Sequence, residues 1–153
     1  MISFKDLNGF KVDLTFEKDF FEIEINHVLV VLKHEGKWLL AKHKVRGVEF
    51  PGGKVEKDET LVEAAMRETL EETGVLINDL EHVAEYVVHG DVPFCKAVFT
   101  GSVVKIHSNY SLLETDGVVW MNDFELDSCE YLSFHMKDEG ISAIRKRVGE
   151  LEL

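Results

Sequence analysis

The sequence predicts an α/β protein in which helices cover a mixed β-sheet. Two segments have a helical pattern, one near the middle of the chain and one near its end. Segments rich in β-branched and aromatic residues lie before and between them, and this order is typical of a sheet covered by helices. A length of 153 residues suits one domain. We therefore expect a single domain over residues 1–153.

The first third of the chain is predicted to form strands. Residues 10–16 alternate weakly between apolar and polar side chains, as an edge strand does. Residues 27–33 are rich in β-branched side chains, which favours a buried strand. The tripeptide His-Glu-Gly at 34–36 predicts a turn, and residues 37–42 then return as the second strand of a hairpin. We predict a loop over residues 43–56, where Gly, Lys and Arg are frequent.

The strongest helix pattern covers residues 60–73. Thr60 and Glu63 fit a capping box, no Gly or Pro interrupts the segment, and Gly74 suits a left-handed helix end. Beyond it, we predict three strands and a final helix, over residues 82–88, 94–104, 117–121 and 141–151 respectively.

One face of the central helix changes from apolar to acidic along its length. At 100° per residue, a stripe about 120° wide is apolar for two turns and then presents Glu68, Glu71 and Glu72. A stripe that begins in the core cannot easily end in bulk water, so these carboxylates should line a cleft. Each carboxylate at the negative end of the helix dipole costs about 0.3–1 kcal/mol. A divalent cation would offset this cost; the alternative is a solvated acidic helix end.

The distribution of charge is more informative than its total. The chain carries a net charge of −12 with His neutral, which argues against a protein that binds nucleic acids or anionic membranes by broad electrostatic attraction. However, −4 of this charge lies in residues 54–74. Such a cluster is better explained as a cation site that receives a phosphate-bearing ligand. The remaining negative charge favours solubility.

The cysteines and the hydropathy pattern indicate a cytoplasmic protein. Cys95 and Cys129 lie far apart without a Cys-x-x-Cys motif, which argues against a disulfide scaffold or a zinc ribbon. A reducing compartment is therefore expected. No apolar run approaches the roughly 20 residues that span a bilayer, and the N-terminal segment carries charges where a signal peptide would be apolar. We expect no membrane association.

Residues 53–75 read GKVEKDETLVEAAMRETLEETGV. This segment resembles the Nudix box, Gly-x5-Glu-x7-Arg-Glu-U-x-Glu-Glu-x-Gly-U, in which U is a bulky aliphatic residue. Thr69 departs from the pattern at a U position, where it should weaken packing slightly and leave the chemistry unchanged. The loop over residues 46–54 is similar to that of MutT-type nucleoside triphosphate pyrophosphohydrolases, and within them to the YtkD-like branch. All seven fixed positions of the box match: Gly53, Glu59, Arg67, Glu68, Glu71, Glu72 and Gly74.

This resemblance implies an αβα sandwich with a mixed sheet between helices. It also implies an enzyme that hydrolyses nucleoside diphosphates linked to another moiety and needs Mg²⁺ or Mn²⁺. Arg67 would orient the carboxylates through charge-assisted hydrogen bonds, and Glu59 would support them from the start of the helix. The metal ligands would be the main-chain carbonyl of Gly52 and the carboxylates of Glu68, Glu71 and Glu72.

The expected reaction is attack by a metal-activated water on a phosphorus of a triphosphate, with a carboxylate taking the proton. Glu114 is our first choice for this base, because it lies in a loop before a predicted strand, where family members often supply an extra carboxylate. Glu71 is the second choice, and the sequence does not separate the two. An ordinary surface acid is an equally good interpretation of Glu114.

Four further residues are predicted to contact the substrate. Arg46 and Lys54 flank the Gly-rich loop and suit phosphate binding, although each also fits a solvated loop cation. Phe50 aligns with a position near the nucleobase in MutT-like proteins, or else belongs to the core. Asp138 fits a hydrogen bond to a purine edge, although an acid before a helix is more often a cap.

The resemblance favours nucleoside 5′-triphosphates as substrates, including oxidised purines such as 8-oxo-dGTP, with the monophosphate and pyrophosphate as products. A second interpretation is removal of pyrophosphate from triphosphorylated RNA 5′ ends. Hydrolysis of ADP-ribose or dinucleoside polyphosphates comes third, because the chain lacks the extra dimerisation sequence that such enzymes often carry. We accordingly expect a monomer or a weak dimer. A non-catalytic nucleotide-binding regulator is the alternative from another class, and the intact box carboxylates argue against it.

Overall fold

The computed structural model describes residues 1–108, 112 and 115–151, which contain ten strands, three α-helices and one 3₁₀ turn. The strands are β1 (Ile2–Lys5), β2 (Lys11–Thr15), β3 (Ile25–Val30), β4 (Lys33–His34), β5 (Lys37–His43), β6 (Gly47–Glu49), β7 (Gly52–Lys54), β8 (Val75–His89), β9 (Phe94–Ile106) and β10 (Thr115–Met121). The helices are α1 (Leu61–Thr73), α2 (Asp123–Asp127) and α3 (Glu139–Leu151), and the 3₁₀ turn is Phe134–Met136.

The strands form two sheets between two hydrophobic cores. The larger sheet has the order β1-β2-β8-β9-β3-β7, and only its β3–β9 pair is parallel within the described residues. The smaller sheet has the order β10-β5-β4, with β6 also paired to β5. Val28 and Val30 of β3 lie in the core beneath α1, whereas Leu29 and Val31 lie in the core beneath α3. The predicted mixed α/β architecture is confirmed.

Helix α1 begins and ends as its sequence predicts. The side chain of Thr60 accepts a hydrogen bond from the backbone N–H of Glu63, and the Glu63 carboxylate accepts one from the N–H of Thr60. At the other end, Gly74 adopts φ = 74° and its N–H donates to the carbonyl of Leu70. A left-handed residue at this position favours Gly because a side chain would be strained there.

The structure differs from the predicted elements in several places. The predicted loop over residues 43–56 contains β6, which pairs with β5, and β7, whose glycines let it pair closely with β3. Strand β8 begins at Val75 instead of residue 82. Its pairing with β9 is irregular around Asp79 (φ = 51°), so the first half of the strand does not follow the regular alternation by which a strand is predicted. Helix α2 was not predicted, since five residues carry little periodicity.

Both longer helices, α1 and α3, contain 13 residues, whereas a bilayer span needs about 20. No helix in the described part of the chain has the length and apolar character that crossing a membrane requires.

Candidate active site

A cavity of about 390 Å³ is lined by Gly52 and Gly53 of β7, which contact the α1 carboxylates Glu72 and Glu68. This volume lies in the range of small-molecule sites. Four parts of the chain line it: the β1–β2 turn, the segment from Arg46 to Gly53, the central strands β3, β8 and β9, and the segment from Phe134 to Ile141. The cavity therefore joins the Gly-rich loop to residues that are distant in sequence.

The two glycines of β7 are needed for close packing. A Cβ on Gly52 would collide with the carbonyl oxygen of Val28 in β3. A Cβ on Gly53 would lie 2.6 Å from the carboxylate of Glu68. The space at Gly52 is thus taken by the neighbouring strand, and the space at Gly53 by a carboxylate.

The three carboxylates of α1 differ in burial. Glu72 is buried, with 8% of the residue exposed, and its Oε2 accepts a hydrogen bond of 2.9 Å from the N–H of Gly52. The side chain of Glu68 is 16% exposed, whereas that of Glu71 is 53% exposed. Glu68 and Glu72 therefore face the Gly-rich loop, and Glu71 lies at the solvent edge.

Arg67 connects the carboxylates to one another. Its Nε and Nη2 donate to both oxygens of Glu59, at 2.7 and 2.9 Å. Its Nη1 donates to Glu68 at 2.9 Å and to Glu71 at 3.2 Å, and its Nη2 also donates to the carbonyl of Lys54. These contacts raise the pKa of Arg67 and hold the pKa of Glu59 at about 2. Arg67 thus contacts Glu59, Glu68 and Glu71, and its role in orienting the carboxylates stays a prediction.

The electrostatic environment of Glu72 disfavours its negative charge. Its pKa is raised to about 8: burial is the largest cause and the carboxylates of Glu68 and Glu49 add to it, whereas the N–H of Gly52 and the charge of Arg46 oppose it. A buried carboxylate surrounded by other carboxylates is stabilised by a cation.

The residues at this end of the cavity suit a hard divalent cation. Their donors are carboxylate and carbonyl oxygens, which Mg²⁺ and Mn²⁺ prefer. Within residues 1–108, 112 and 115–151, no three His, Cys, Asp or Glu side chains already surround one point as a metal cage would. Instead, Arg67 holds Glu68 and Glu71, and Gly52 holds Glu72. The raised pKa of the buried Glu72 carboxylate and the close approach of the Glu68 carboxylate to Gly53 are the observations that fit a cation here.

Glu49 is a fourth carboxylate beside this cluster, and the sequence analysis missed it. It is 7% exposed, lines the cavity and accepts two hydrogen bonds from Arg46, at 2.6 Å from Nη2 and 3.1 Å from Nε. The backbone of Arg46 is fixed in turn, because its N–H donates to Nδ1 of His43. The Arg46 guanidinium therefore lies at the cavity next to the acidic end.

The strands of the larger sheet supply a second set of residues that sequence reasoning missed. His27, Lys96 and Tyr86 pair directly across β3, β9 and β8 and line the cavity. Nζ of Lys96 lies 5.4 Å from the centre of the Tyr86 ring, and His27 contacts Phe94 at 4.8 Å between ring centres. Burial and neighbouring lysines lower the pKa of His27 to about 4, so it is neutral at physiological pH. No local motif reveals this row, because it depends on the parallel pairing of β3 with β9.

The remaining predicted substrate contacts have mixed outcomes. Phe50 lines the cavity but is also 3% exposed and packs edge-on against Trp38. Asp138 lines the cavity, and its Oδ1 also caps α3 by accepting from the N–H of Ile141. Lys54 is exposed and is not among the cavity-lining residues. Glu114 lies outside the described residues.

Comparison with known proteins identifies the family. The sequence model of the NUDIX domain matches residues 25–145. The chain belongs to the Nudix family. Nudix hydrolases generally use divalent metal ions, in agreement with the oxygen donors described above.

Two relatives extend over almost the entire chain. It is 36% identical over 153 residues to the protein of Bacillus subtilis (strain 168) named "Putative 8-oxo-dGTP diphosphatase YtkD", covering 98% of this chain and 97% of that protein. It is similar in structure to a mutant of the B. subtilis pyrophosphohydrolase BsRppH, with a TM-score of 0.90, 35% identity, and coverage of 99% and 98% of the two chains.

More distant relatives support the same family. The chain is 30% identical over 114 residues to the phosphatase NudJ of Escherichia coli (strain K12), covering 70% of this chain and 68% of NudJ. A Nudix hydrolase from Nitrosomonas europaea has a TM-score of 0.69 at 21% identity, covering 83% and 90% of the two chains. That likeness concerns the fold alone. The chain is therefore a Nudix hydrolase with the expected αβα sandwich.

Proposed function

We propose that this Nudix hydrolase converts nucleoside 5′-triphosphates into the monophosphate and pyrophosphate, with oxidised purines such as 8-oxo-dGTP among its substrates. One observation carries the proposal: Gly52 and Gly53, which contact the carboxylates of Glu72 and Glu68, line a cavity that is large enough for a nucleotide and also has aromatic and cationic residues in its lining. The name of YtkD, at 36% identity, supports the same substrate class.

In this proposal, the carboxylates of Glu68, Glu71 and Glu72 and the carbonyl of Gly52 hold Mg²⁺ or Mn²⁺. The bound ion would lower the pKa of a water and neutralise charge on the phosphate oxygens. Arg67 keeps Glu68 and Glu71 in position, because it is itself fixed by both oxygens of Glu59.

The proton of the attacking water passes to a carboxylate. Glu71 suits this role because more than half of its side chain is exposed, so it can return the proton to solvent. Glu114 is the other candidate for the base.

The Arg46 guanidinium is proposed to bind a phosphate of the substrate. It lines the cavity, and two hydrogen bonds to the Glu49 carboxylate fix its orientation there. A planar guanidinium held in one orientation suits phosphate oxygens. Lys54 would add only a screened positive charge, because it is exposed and lies off the cavity.

A triphosphorylated RNA 5′ end is a second candidate substrate. The rim of the cavity carries Leu7, Phe10 and Phe134, which are 59%, 38% and 38% exposed. Apolar residues at a rim favour a ligand that continues beyond the cavity, as a second nucleotide would. The structural likeness to BsRppH, a pyrophosphohydrolase, is compatible with this candidate.

The test is release of pyrophosphate and of phosphate over a nucleotide panel with Mg²⁺. The panel contains dGTP, 8-oxo-dGTP, the other common triphosphates and a short 5′-triphosphorylated RNA. We expect pyrophosphate from at least one triphosphate and none after EDTA is added. A lower KM for the RNA than for every free nucleotide would favour the second candidate. No release from any triphosphate would overturn the proposal.

A further inference from the structure

The hairpin formed by β1 and β2 contributes to the cavity although it lies outside the family's common region. The NUDIX match begins at residue 25. Five residues before that point nevertheless line the cavity, namely Asp6, Leu7, Asn8, Phe10 and Val12. One side of the cavity is thus built by a segment that the family's sequence model does not include.

The turn of this hairpin is held in one conformation. Oδ1 of Asp6 accepts hydrogen bonds from the N–H groups of Asn8 and Phe10, each at 2.9 Å. The N–H of Asp6 also donates to the carbonyl of Phe10, and Gly9 occupies the left-handed region with φ = 83°. Phe10 is therefore fixed relative to β2, which pairs with β8 in the centre of the sheet.

The Phe10 ring packs over the β8–β9 turn and remains partly exposed. A Cβ on Gly90, in the β8–β9 turn, would contact the ring at 3.7–3.8 Å, so the ring rests over this glycine. The residue is still 38% exposed, and it lines the cavity. An aromatic side chain held in place with part of its surface open to a cavity suits a planar ligand.

Another part of the cavity lining comes from the segment before α3. Phe134 lines it with 38% of the residue exposed. Asp138 of the same segment lies close enough to Asp6 for that carboxylate to contribute to raising its pKa, after the larger effect of burial. The hairpin turn and this segment therefore lie near each other at the cavity, and Gly52 and Gly53, which contact carboxylates of α1, line the same cavity.

We propose that the β1–β2 hairpin forms one side of a nucleobase-binding slot, in which Phe10 stacks on the base of the nucleotide whose phosphates lie at α1. The occupant is a planar heteroaromatic base because the slot continues into the acidic end of the cavity, where a phosphate chain with its cation belongs. The inference rests on the proposed function only for the placement of the phosphates.

Equilibrium binding of nucleoside monophosphates, the proposed products, tests this slot without catalysis. Loss of one aromatic–base stack weakens affinity by about 5- to 150-fold. We expect Phe10→Ala and Phe10→Leu to weaken binding of GMP and dGMP by at least fivefold in calorimetry. Phe10→Tyr, which keeps a planar ring, should bind as the wild type does. Ribose 5-phosphate serves as the probe without a base, and its binding should be unchanged in all three variants.

Phe16→Ala is the matched control. Phe16 is 39% exposed, almost the same as Phe10, but it follows the other end of β2 and contacts Arg147 away from the cavity. Its replacement should leave monophosphate binding unchanged. The slot is overturned if the wild type binds no monophosphate, if Phe10→Leu binds as tightly as the wild type, or if Phe16→Ala weakens binding equally. A wild type that binds monophosphates but hydrolyses no triphosphate would refute the proposed function and leave the slot in place.

Discussion

At the scale of single residues, Glu72 connects the acidic helix to the stability of the protein. Its pKa in the folded chain is raised from 4.5 to about 8, chiefly by burial. Between these two values the folded protein keeps a proton that the unfolded chain has released. The metal-free protein is therefore expected to lose stability as pH rises through this interval.

Glu72→Gln tests this linkage because it removes the titrating group. In EDTA, the melting temperature of the wild type should fall between pH 4.5 and 8 more steeply than that of the variant. The variant should be the more stable of the two at pH 8. Glu81→Gln, at an exposed position of β8, is the control and should follow the wild type. Parallel wild-type and Glu72→Gln curves would contradict the linkage.

The pair formed by Glu49 and Arg46 is expected to act on substrate binding. Gln at residue 49 has no charge and only one acceptor oxygen, so Arg46 loses one of the two hydrogen bonds that hold it at the cavity and the charge of its partner. A hydrogen bond to a charged group contributes about 1.5–3 kcal/mol, so Glu49→Gln should raise KM for a triphosphate roughly tenfold with a smaller change in kcat.

A double-mutant cycle with Arg46→Gln distinguishes positioning from independent roles. If Glu49 acts through Arg46, the KM of the double variant should be no higher than that of the Arg46→Gln variant alone. Additive effects, or a raised Mg²⁺ requirement in Glu49→Gln with KM unchanged, would show instead that Glu49 acts at the metal.

At the scale of secondary-structure elements, the two glycines of β7 allow stability and activity to be tested separately. A Cβ at residue 52 would meet the backbone of β3, which cannot move without disrupting the sheet. A Cβ at residue 53 would meet only the flexible end of the Glu68 side chain. The two neighbouring glycines therefore have different functions.

Gly52→Ala and Gly53→Ala form a matched pair for this contact. We expect Gly52→Ala to lower the free energy of unfolding by about 4 kcal/mol, which is typical of a severe substitution. Gly53→Ala should remain folded and lose at least tenfold in Mg²⁺-dependent kcat, because the Glu68 carboxylate is displaced. Urea unfolding and steady-state kinetics measure the two effects. The account fails if Gly53→Ala keeps full activity.

At the scale of the whole molecule, prediction from sequence works where contacts are local. The carboxylates of α1 and the Arg67–Glu71 pair follow from helical periodicity, and the capping box and Gly74 define the helix ends. Thr69, the departure from the box, is fully buried, and its hydroxyl donates to the carbonyl of Ala65. The hydroxyl therefore has a hydrogen-bond partner within the helix, and Thr at this position requires no rearrangement of the neighbouring carboxylates.

Contacts between distant parts of the chain could not be predicted in this way. Phe10 and Lys96 line the same cavity only because β2 pairs with β8 and β8 pairs with β9. Helix α2 did have a local indication, since Asn122 and Glu125 form a capping box. A helix of five residues is too short to show the apolar periodicity that normally supports such a motif. Arg46 and Glu49 are neighbours in sequence, but only the fold brings them to the carboxylates.

A cation bound by the α1 carboxylates should stabilise the folded protein. A ligand that binds only the folded state adds RT ln(1 + [L]/Kd), about 2.7 kcal/mol at a hundred times Kd. Mg²⁺ or Mn²⁺ should therefore raise the melting temperature of the wild type, and Glu72→Gln should abolish the increase. Ca²⁺ and monovalent salt at equal ionic strength are the controls for general screening. An equal increase in Glu72→Gln would place the cation elsewhere.

The central claim is that the carboxylates of α1 carry the hydrolysis of a 5′-triphosphate. The most direct test compares pyrophosphate release by the wild type, Glu72→Gln and the control Glu81→Gln at saturating Mg²⁺, after circular dichroism has shown that all three are folded. The account predicts release by the wild type and the control and almost none by Glu72→Gln. Full pyrophosphate release by folded Glu72→Gln would contradict it.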